Sequence, residues 1–512
     1  MRILRARAGL ASVLAAGLAG CSIAPAPLSP IEVGSLASDR VQRVVADQEP
    51  VDRPIDLYEA MARALMYNLD HRVELMETAL RVRELDLAHY GLLPNLVASS
   101  GYAARNNDNA SNSVNILTGV ESLSTSTSQE RRISTADVAF SWNILDFGLS
   151  YVRAKQSGDK FLIAGELRRK VAHRVVEDVR TAYWRAVSAD RLLERLRALE
   201  ERVRSVQANT RAIQAERHTS LITAVTYERE LVEIKRTIQE LERDLVVART
   251  QLASLMNLKP GTKYTLVHLA PTKGTLSLKM PVDEMIYTAM HNRAELREVW
   301  YRQRINSYEL EAAFLELLPG VQVYAGTNYD SNDFIYNNNW VNWGAKASWN
   351  LLRLAQYPAK REVINAQDRL LDARSLALTM AIMTQVHVSR VRFHHYGKEL
   401  ATASEYLDVQ RRLVELMRSE SRADRISEQT LIREEMNTLV AEVKRDIAFA
   451  NLQNAFANVY ASMGLDPYHL DTPATGGVKQ LARELHGVWL ERGDQGAAEK
   501  PAEKPKVASA SK

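Results

Sequence analysis

Residues 136–144 read Ala-Asp-Val-Ala-Phe-Ser-Trp-Asn-Ile, an alternation of apolar with polar or small side chains. This period of two is typical of a β-strand with one apolar face. The pattern returns at residues 341–351, where one series is apolar and partly aromatic: Val341, Trp343, Ala345, Ala347, Trp349 and Leu351. The sequence therefore predicts strands at residues 134–145 and 339–351, each with an apolar face and a polar face.

A partner strand is expected before each of these, at residues 95–105 and 320–329. Each partner follows a proline, which prevents the preceding helix from continuing. Each is about ten residues long, the length that a tilted strand needs to cross a bilayer. The segments between the paired strands, residues 106–132 and 330–339, are polar and rich in Asn, and we expect them to be solvent-exposed loops.

Such alternation also occurs in soluble sandwiches, where the apolar face packs on a core. Two features favour a membrane instead: the strand pairs are isolated between long helices, and their tryptophans resemble an interfacial aromatic belt. The predicted belt consists of Trp142, Trp340, Trp343 and Trp349.

Four strands cannot close a barrel alone. An open edge in lipid would leave backbone groups unpaired, at a cost of several kcal/mol each. Several chains must therefore pool their strands. Two chains would give a barrel filled by side chains, whereas three would leave room for a lumen.

The rest of the sequence predicts helices too long for one globular domain. Glycine and proline are nearly absent from two long segments. At ~1.5 Å per residue, a helix of about 70 residues reaches roughly 100 Å. We therefore predict helical hairpins at residues 149–257 and 358–464, with turns near residues 219–223 and 424–429.

Each hairpin carries apolar residues at heptad spacing, which is typical of a coiled-coil seam. The predicted seam of the first hairpin comprises Leu192, Leu196, Leu199, Val203, Val206, Ile213, Leu231, Ile234, Ile238, Leu241, Leu245, Ala248, Leu252 and Leu255. That of the second comprises Tyr406, Val409, Leu413, Leu416, Met436, Val440, Val443, Ile447 and Ala450. A soluble coiled coil would show the same pattern. Joined to strands that several chains share, however, the hairpins would form a conduit.

The order of helix, strand pair and hairpin occurs twice, which indicates an internal two-fold repeat. The matching motifs are Leu92-Leu93-Pro94 with Leu317-Leu318-Pro319, Ser141-Trp142-Asn143 with Ser348-Trp349-Asn350, and Met256-Asn257-Leu258 with Met463-Gly464-Leu465. The predicted division is a signal peptide at 1–20, a lipidated tether at 21–54, a first repeat at 55–268, a linker at 269–280, a second repeat at 281–470 and a C-terminal segment at 471–512.

The N-terminal residues resemble a bacterial lipoprotein signal. A basic start precedes an apolar stretch, and Leu18-Ala19-Gly20-Cys21 resembles a lipobox. We expect Cys21 to be lipidated, and Ser22 after it, rather than Asp, favours the outer membrane. Cys21 is the only cysteine, so no internal disulfide is expected. No later segment has about 18 uninterrupted apolar residues, so we expect any membrane crossing to use the strands.

Other function classes find little support in the sequence. The formal charge of +4 includes three arginines of the leader and gives no indication of nucleic-acid binding. No metal-ligand spacing, phosphate loop or nucleophile motif points to an enzyme or a cofactor, and His394-His395 is expected on a helix surface. The tail at residues 487–512 is predicted to be disordered because Glu, Lys, Pro and Ala cannot support a core.

Several motifs, in this duplicated order, resemble the TolC family of outer-membrane efflux and secretion channels, particularly its lipoprotein members. They are Ile55-Asp56-Leu57, residues 60–68, Leu92-Leu93-Pro94-Asn95-Leu96 and residues 140–148. The resemblance implies a mainly α protein that forms a homotrimer, with a twelve-stranded transmembrane β-barrel and a helical tunnel in the periplasm. It further implies a passive exit duct for a periplasmic adaptor and an inner-membrane pump, proton-driven or of ABC type.

The resemblance also suggests where the duct closes. Family members often carry aspartates just past the second hairpin turn, and these are absent here. An acidic group at i,i+4 spacing, expected on one helical face with arginines as pairing partners, could replace them. The predicted aperture group consists of Glu420, Asp424, Glu428, Arg422 and Arg425. The alternative is a solvated tip without a gating role.

The two hairpin turns are the expected adaptor contacts. The predicted contact residues are Ser220, Leu221, Ile426 and Ser427. Two other protein classes share long helical hairpins. A periplasmic adaptor lipoprotein would carry one hairpin flanked by β-domains, and a coiled-coil surface protein would not need strand pairs flanked by tryptophan.

Overall fold

The computed structural model describes residues 26–46, 48–122, 124–215, 221–267, 276, 278, 280–423, 425–468 and 476–495. The chain is mainly helical, and its strands are few and antiparallel, as predicted. Within these ranges no helix combines the length and the apolarity needed to cross a membrane.

The first copy of the repeat consists of two short helices, a strand pair and two long helices. They are α2 (Leu57–Tyr67), α3 (Leu69–Tyr90), β1 (Asn95–Ala104), β4 (Arg132–Asn143), α4 (Ile144–Ala215) and α5 (Leu221–Leu255), with α1 (Pro30–Val44) before them. The loop between β1 and β4 contains a further small pair, β2 (Ala110–Ser111) and β3 (Ser126–Thr127).

The second copy has the same order of elements. They are α6 (Val282–Asn292), α7 (Ala294–Leu315), β5 (Gly320–Asp330), β6 (Asn339–Ser348), α8 (Leu352–Arg422) and α9 (Glu428–Ser462), followed by α10 (Gly477–Gln495). The longest helices, α4 and α8, have 72 and 71 residues, or about 105 Å each. Because few glycines or prolines interrupt them, both helices run from the sheet to the hairpin turns.

The four long strands form one antiparallel sheet in the order β1-β4-β5-β6. The two copies meet in its middle, where Trp142 of β4 lies opposite Val323 of β5. Strands β1 and β6 are the two edges, and neither has a further strand partner among the described residues. One chain therefore provides an open four-stranded sheet with two free edges rather than a closed structure.

The long helices form a layer that continues from the sheet. Beyond the middle of the molecule the order is α8, α9, α4, α5, because α9 packs against both α8 and α4. Helices α8 and α5 are therefore the two outer helices of this hairpin layer. Nearer the sheet, α3 and α7 take the places of α5 and α9, and α3 and α8 are outermost.

Between these two layers the molecule has a waist, built from α2, α6, α10 and the adjoining parts of α4, α8 and α9. Its core is apolar, with fully buried Met61, Tyr183 and Met285. The two termini meet there, because the Glu49 carboxylate accepts a hydrogen bond from the amide of Val478 at 3.0 Å. The waist is thus the main hydrophobic core of the chain.

Arg169 joins the two copies at the waist. Its guanidinium binds Asp466 at 3.1 Å and Glu166 at 2.6 Å, and it donates to the carbonyls of Asn292 and Gly464 at 3.2 Å each. A buried guanidinium needs this many acceptors to offset the loss of its hydration. One side chain of the first copy thereby holds two segments of the second.

Each hairpin ends at the waist in the same helix cap. The amide of Leu258 donates to Ala253, and that of Leu465 donates to Tyr460, the long bond of a Schellman motif. The residue before each is left-handed, with φ of 56° at Asn257 and 73° at Gly464. The repeated Met-x-Leu motif of the sequence is therefore a pair of equivalent helix caps.

Two terminal segments differ from the prediction. The expected tether contains α1, because Ser29 and Glu32 form a reciprocal capping box that starts a helix at Pro30. The tail was predicted to be disordered from residue 487, but α10 continues to Gln495, because Trp489 is buried in the waist core. Residues 496–512 lie outside the described part of the chain.

Candidate functional site

The sheet has one apolar and one polar face, as predicted. Residues directly opposite each other in adjacent strands lie on the same face. One such row contains Leu96, Phe140, Ala325 and Trp343. The apolar face is uncovered in the single chain, and Trp343 is 81% exposed. A face of this kind requires an apolar surrounding that the chain itself does not supply.

The opposite face is mainly polar, although it includes Val97, Ala139 and Trp340. Ser99 donates to the carboxylate of Asp137 at 2.6 Å, and the Asn328 amide donates to Asn342 at 2.9 Å. Gly344 lies close to Tyr324 on this face, because a Cβ atom at this position would lie 2.6 Å from the Tyr324 hydroxyl, at the movable end of that side chain. The polar side chains of this face can be in contact with water.

The four tryptophans of the predicted belt do not share one face of the sheet. Trp340 lies opposite Asn328 and therefore belongs to the polar face, since it is an odd number of residues from Trp343. Trp349 follows the last residue of β6, and its indole nitrogen donates to the carbonyl of Leu317 at 2.8 Å. Trp142, on the apolar face, packs edge-on against the first turns of α4.

The sequence reasoning missed the aromatic residues at the other end of the apolar face. Tyr102 lies opposite Ser134, and Tyr329 lies opposite Ala136, on the face that carries Trp142. Aromatic side chains therefore flank the apolar face at both ends. The alternation of β1 and β5 could have shown this if the tyrosines had been included.

The first hairpin seam is buried as predicted, because α5 and α9 cover α4 from two sides. The buried members are Leu192, Leu196, Leu199, Val203, Val206, Leu231, Ile234, Ile238, Leu245, Ala248 and Leu252. The side chain of Ile213 lies outside the described residues, and Leu241 is partly buried.

The outgoing seam of the second hairpin is not where the sequence placed it. Leu407, Gln410 and Val414 face α9 and are buried. The predicted members are exposed on the outer side of α8: Tyr406, Val409, Leu413 and Leu416. Two apolar series run along this helix, and the more apolar one faces away from the chain. On α9, Met436, Val443 and Ala450 are buried as predicted, whereas Ile447 is 41% exposed.

An ionic rung connects three helices in the hairpin layer. The carboxylate of Glu442 on α9 binds Arg195 of α4 and Arg411 of α8, the latter at 3.1 Å. The Glu442 side chain is only 4% exposed, whereas the arginines are about half exposed. Burial alone would raise the pKa of this carboxyl, but the two guanidiniums outweigh it and hold the pKa below its usual value.

A second rung repeats the first one heptad away. Glu435 binds Arg202 of α4 at 2.6 Å and Arg418 of α8 at 3.0 Å. Because all three helices advance by seven residues, the rungs form a ladder along the α4-α9-α8 surface. The ladder fixes the register of the two hairpins relative to each other. The sequence reasoning did not identify it, because its members come from three separate segments.

The predicted aperture group does not share a helical face. Glu420 lies in the last turn of α8 and Glu428 in the first turn of α9, since the helix ends at Arg422. Arg425 binds Glu420 at 3.3 Å, but Glu428 binds Arg202 of α4 at 3.2 Å. The acidic groups therefore lie on both sides of the turn.

The hairpin turns are partly described. Leu221 is the first residue of α5, Ile426 is half-buried, and Ser427 caps α9 by accepting from the Thr430 amide at 3.3 Å. Ser220 and Asp424 lie outside the described residues, as does Cys21. Their predicted roles remain predictions.

The described ranges contain no cluster of side chains suited to a metal ion. There, no group of three or more His, Cys, Asp or Glu side chains is placed to hold a metal ion. His394 and His395 lie exposed on α8 with ring centroids 6.1 Å apart. The functional surfaces of this chain are the two-faced sheet and the long hairpins.

The two-faced sheet and the long hairpins together define a class of proteins. In this class a small open sheet is joined directly to helices of about 105 Å. No family model matches the sequence, and no curated protein matches it. Solved structures do match. The chain is similar to the CmeC outer membrane channel of Campylobacter jejuni, with a TM-score of 0.63 and 12% identity over 91% of this chain and 98% of that one.

Two further structures are similar over most of their length. The open state of the MtrE outer membrane channel of Neisseria gonorrhoeae gives a TM-score of 0.61, with 15% identity over 80% of this chain and 89% of that one. The outer membrane protein VceC of Vibrio cholerae gives 0.59, with 9% identity over 80% and 96%. The chain has the fold of these outer-membrane channels, and the predicted likeness to the TolC family is confirmed for the fold.

Proposed function

We propose that this protein is the outer-membrane channel of a tripartite efflux or type I secretion system. It would act as a passive duct for substrates delivered by an inner-membrane pump, proton-driven or of ABC type, and a periplasmic adaptor. The observation that carries the proposal is the open sheet, whose apolar face is uncovered and whose polar face can line water. The likeness to outer-membrane channels supports it. An enzyme is not proposed.

Three copies of the chain would close the barrel. Each sheet has free edges at β1 and β6, so pairing β1 of one copy with β6 of the next gives twelve strands and leaves a lumen. The helices support the same arrangement, because the exposed apolar series of α8 would face the outer helix α5 of a neighbour. The polar face of the sheet would then line the duct.

We further propose the sequence-based division of the chain, with Cys21 lipidated after removal of the signal peptide. The acyl chains would add an anchor in the outer membrane, beside the barrel. Residues 55–268 and 281–470 would be the two repeats that build the duct, and the helical layer would lie in the periplasm.

The acidic and basic residues around the second turn would narrow the inner end of the duct. In support, Glu420 and Arg425 form an ion pair there, and Glu428 is held by Arg202 of the first hairpin. Replacing Asp424 and Glu428 by Ala should raise single-channel conductance, whereas unchanged conductance would exclude this role. The tips at Leu221, Ile426 and Ser427, with Ser220, would contact the adaptor.

The native mass in mild detergent tests the duct itself, together with conductance in planar bilayers. We expect a trimer that conducts. A monomer, or protein recovered from the membrane fraction without detergent, would contradict the proposal.

A matched pair of variants tests the assignment of the two faces. Trp343→Arg should prevent membrane insertion, since a cation on the lipid face costs about 2–4 kcal/mol near the bilayer midplane. Asn342→Arg, one residue away on the polar face, should insert and change ion selectivity. Equal insertion of both variants would contradict the proposed orientation of the sheet.

A further inference from the structure

Among the helices that the structure describes, α1 alone has no buried residue. All fifteen of its residues are exposed. Four of its apolar side chains nevertheless share one side, since Val33, Ala37, Val41 and Val44 follow each other at spacings of three or four residues, whereas Ile31 and Leu36 lie off this stripe. Val41 is 71% exposed.

A helix of this length is not expected to persist without a packing partner. Isolated helices below about 12–15 residues are marginal in water, and α1 contains Gly34 and two serines, which lower its propensity further. Its capping box adds only about 1 kcal/mol. The apolar stripe therefore needs a covering partner beyond the described residues of this chain.

The attachment of α1 shows where that partner must lie. The side-chain amide of Asn257 donates to the carbonyl of Val44 at 2.6 Å, and that of Gln48 donates to the carbonyl of Asn257 at 2.5 Å. Asn257 directly follows α5, the outer helix of the hairpin layer. The C-terminal end of the stripe therefore lies at the edge of the chain that would meet the next copy.

A lipid surface fits α1 poorly. Its charged residues are Glu32, Asp39, Arg40 and Arg43, which cancel, so the helix lacks the basic face of a membrane-surface helix. Its C-terminal end also lies at the waist, beside the start of α3 at Asn68, and α3 extends about 33 Å before the sheet begins.

The outer surface of α8 at waist level offers a complementary stripe. Leu376, Met380 and Val391 are exposed there, although the neighbouring Ile382 and Val386 belong to the waist core. In a closed ring, the edge formed by α3 and α5 of one copy faces α8 of the next. Apolar stripes at helical spacing on two facing helices can pack together.

We propose that α1 is an intersubunit clasp, whose apolar stripe packs on α8 of the neighbouring copy at the waist. This inference rests on the proposed closed assembly of several copies. The clasp would attach the membrane-proximal N-terminal segment of one subunit to the neighbouring subunit. The strands of the same chain would remain in its own part of the barrel. The clasp would thereby hold the ring together independently of the hydrogen bonds between β1 and β6.

Photocrosslinking of the full-length protein in outer-membrane fractions tests the clasp. We would place p-benzoylphenylalanine at Val41 on the stripe and, as a matched control, at Asp39 on the opposite side of the same helix. We expect a crosslinked dimer from position 41 only, with the crosslink mapping to residues 376–391. A crosslink from position 41 to lipid, to another protein or within one chain would overturn the inference.

The native mass of the same samples separates the two proposals. A trimer without the dimer crosslink would overturn the clasp and leave the channel intact, whereas a monomer would contradict the channel itself. As an independent measurement, Val33→Asp with Val41→Asp should lower the temperature at which trimers dissociate in detergent. Ser35→Asp, on the polar side, should leave it unchanged. Equal dissociation temperatures for the two variants would also overturn the clasp.

Discussion

The two helical hairpins carry the same heptad signal, yet they bury it differently. In the first hairpin, Leu192, Leu196 and Val203 lie at a junction of three helices and are inaccessible to water. In the second, Tyr406, Leu413 and Leu416 also follow a heptad pattern on α8 but are exposed. The difference follows from position, because α4 is an inner helix of the layer and α8 is an outer one.

This comparison shows what a heptad pattern can and cannot indicate. It identifies a helix face that requires an apolar partner, but it does not identify the chain that supplies the partner. For α4 the partner is within the chain. For the exposed series of α8, the proposed assembly places the partner in a neighbouring copy.

Charged substitutions in the two seams should separate folding from assembly most clearly. Leu196→Asp would bury an unpaired carboxylate, so we expect a loss of more than about 4 kcal/mol and a chain that does not fold. Leu413→Asp should change the unfolding free energy of the chain by less than about 1 kcal/mol but prevent trimer formation. Circular dichroism during denaturation and native mass would measure the two effects. If Leu413→Asp left the trimer intact, α8 would not be an intersubunit helix.

The two Schellman caps should respond unequally to substitution. Gly464→Ala would place a Cβ atom 2.6 Å from the carbonyl carbon of Asn292, at a φ of 73°. We expect a loss of about 2–4 kcal/mol, from backbone strain and the steric clash together.

Asn257→Gly is the matched variant at the first cap. Asn257 is already left-handed, so glycine there should change the stability of the chain by less than about 1 kcal/mol. Thermal unfolding of both variants would provide the comparison, and equal losses would show that the close approach of Asn292 contributes nothing.

Removing the negative charge of Glu442 from one rung of the ladder should lower the unfolding free energy by less than Gly464→Ala does. Glu442→Gln keeps the shape but leaves Arg195 and Arg411 without their carboxylate. Because both arginines are half exposed, we expect a loss of about 1–2 kcal/mol. Denaturant titration would measure it. Glu415→Gln, which also lies near these arginines on α8 but is exposed, is the control and should be nearly neutral.

The ladder should also make stability depend on pH. The pKa of Glu442 is lower in the folded chain than its ordinary value of 4.5. The contribution of Glu442 to the unfolding free energy is therefore complete above about pH 4.5. It is lost as the pH falls through the pKa that Glu442 has in the folded state. The difference in melting temperature between the wild-type protein and Glu442→Gln should be largest near neutral pH and shrink towards pH 3. A difference that grows on acidification would contradict this sign.

The sequence identified features that depend on local periodicity. The two-faced strands, the long hairpins and the two-fold repeat follow from alternation, heptads and repeated motifs, and the structure shows each of them. The resemblance to a channel family rested on the same motifs. These features are readable because each depends on residues that are close in the chain.

Other features depend on contacts between distant segments and were missed or misplaced. The ladder joins residues 195, 411 and 442, and no single window of sequence contains them. Trp340 was assigned to the wrong face because the belt was defined by residue type rather than by strand register. The exposed series of α8 was assigned to the hairpin because the position of α8 at the edge of the layer is a property of the assembled helices.

The meeting of the two terminal segments at the waist affects how the protein can be extended. Glu49 contacts Val478, and Trp489 of α10 packs in the waist core, so both described segments lie at mid-height rather than at either mouth of the proposed duct. A fluorescent protein or affinity tag fused after residue 495 would therefore start beside the waist. Such fusions would leave both openings clear, and single-molecule imaging could follow the channel during transport.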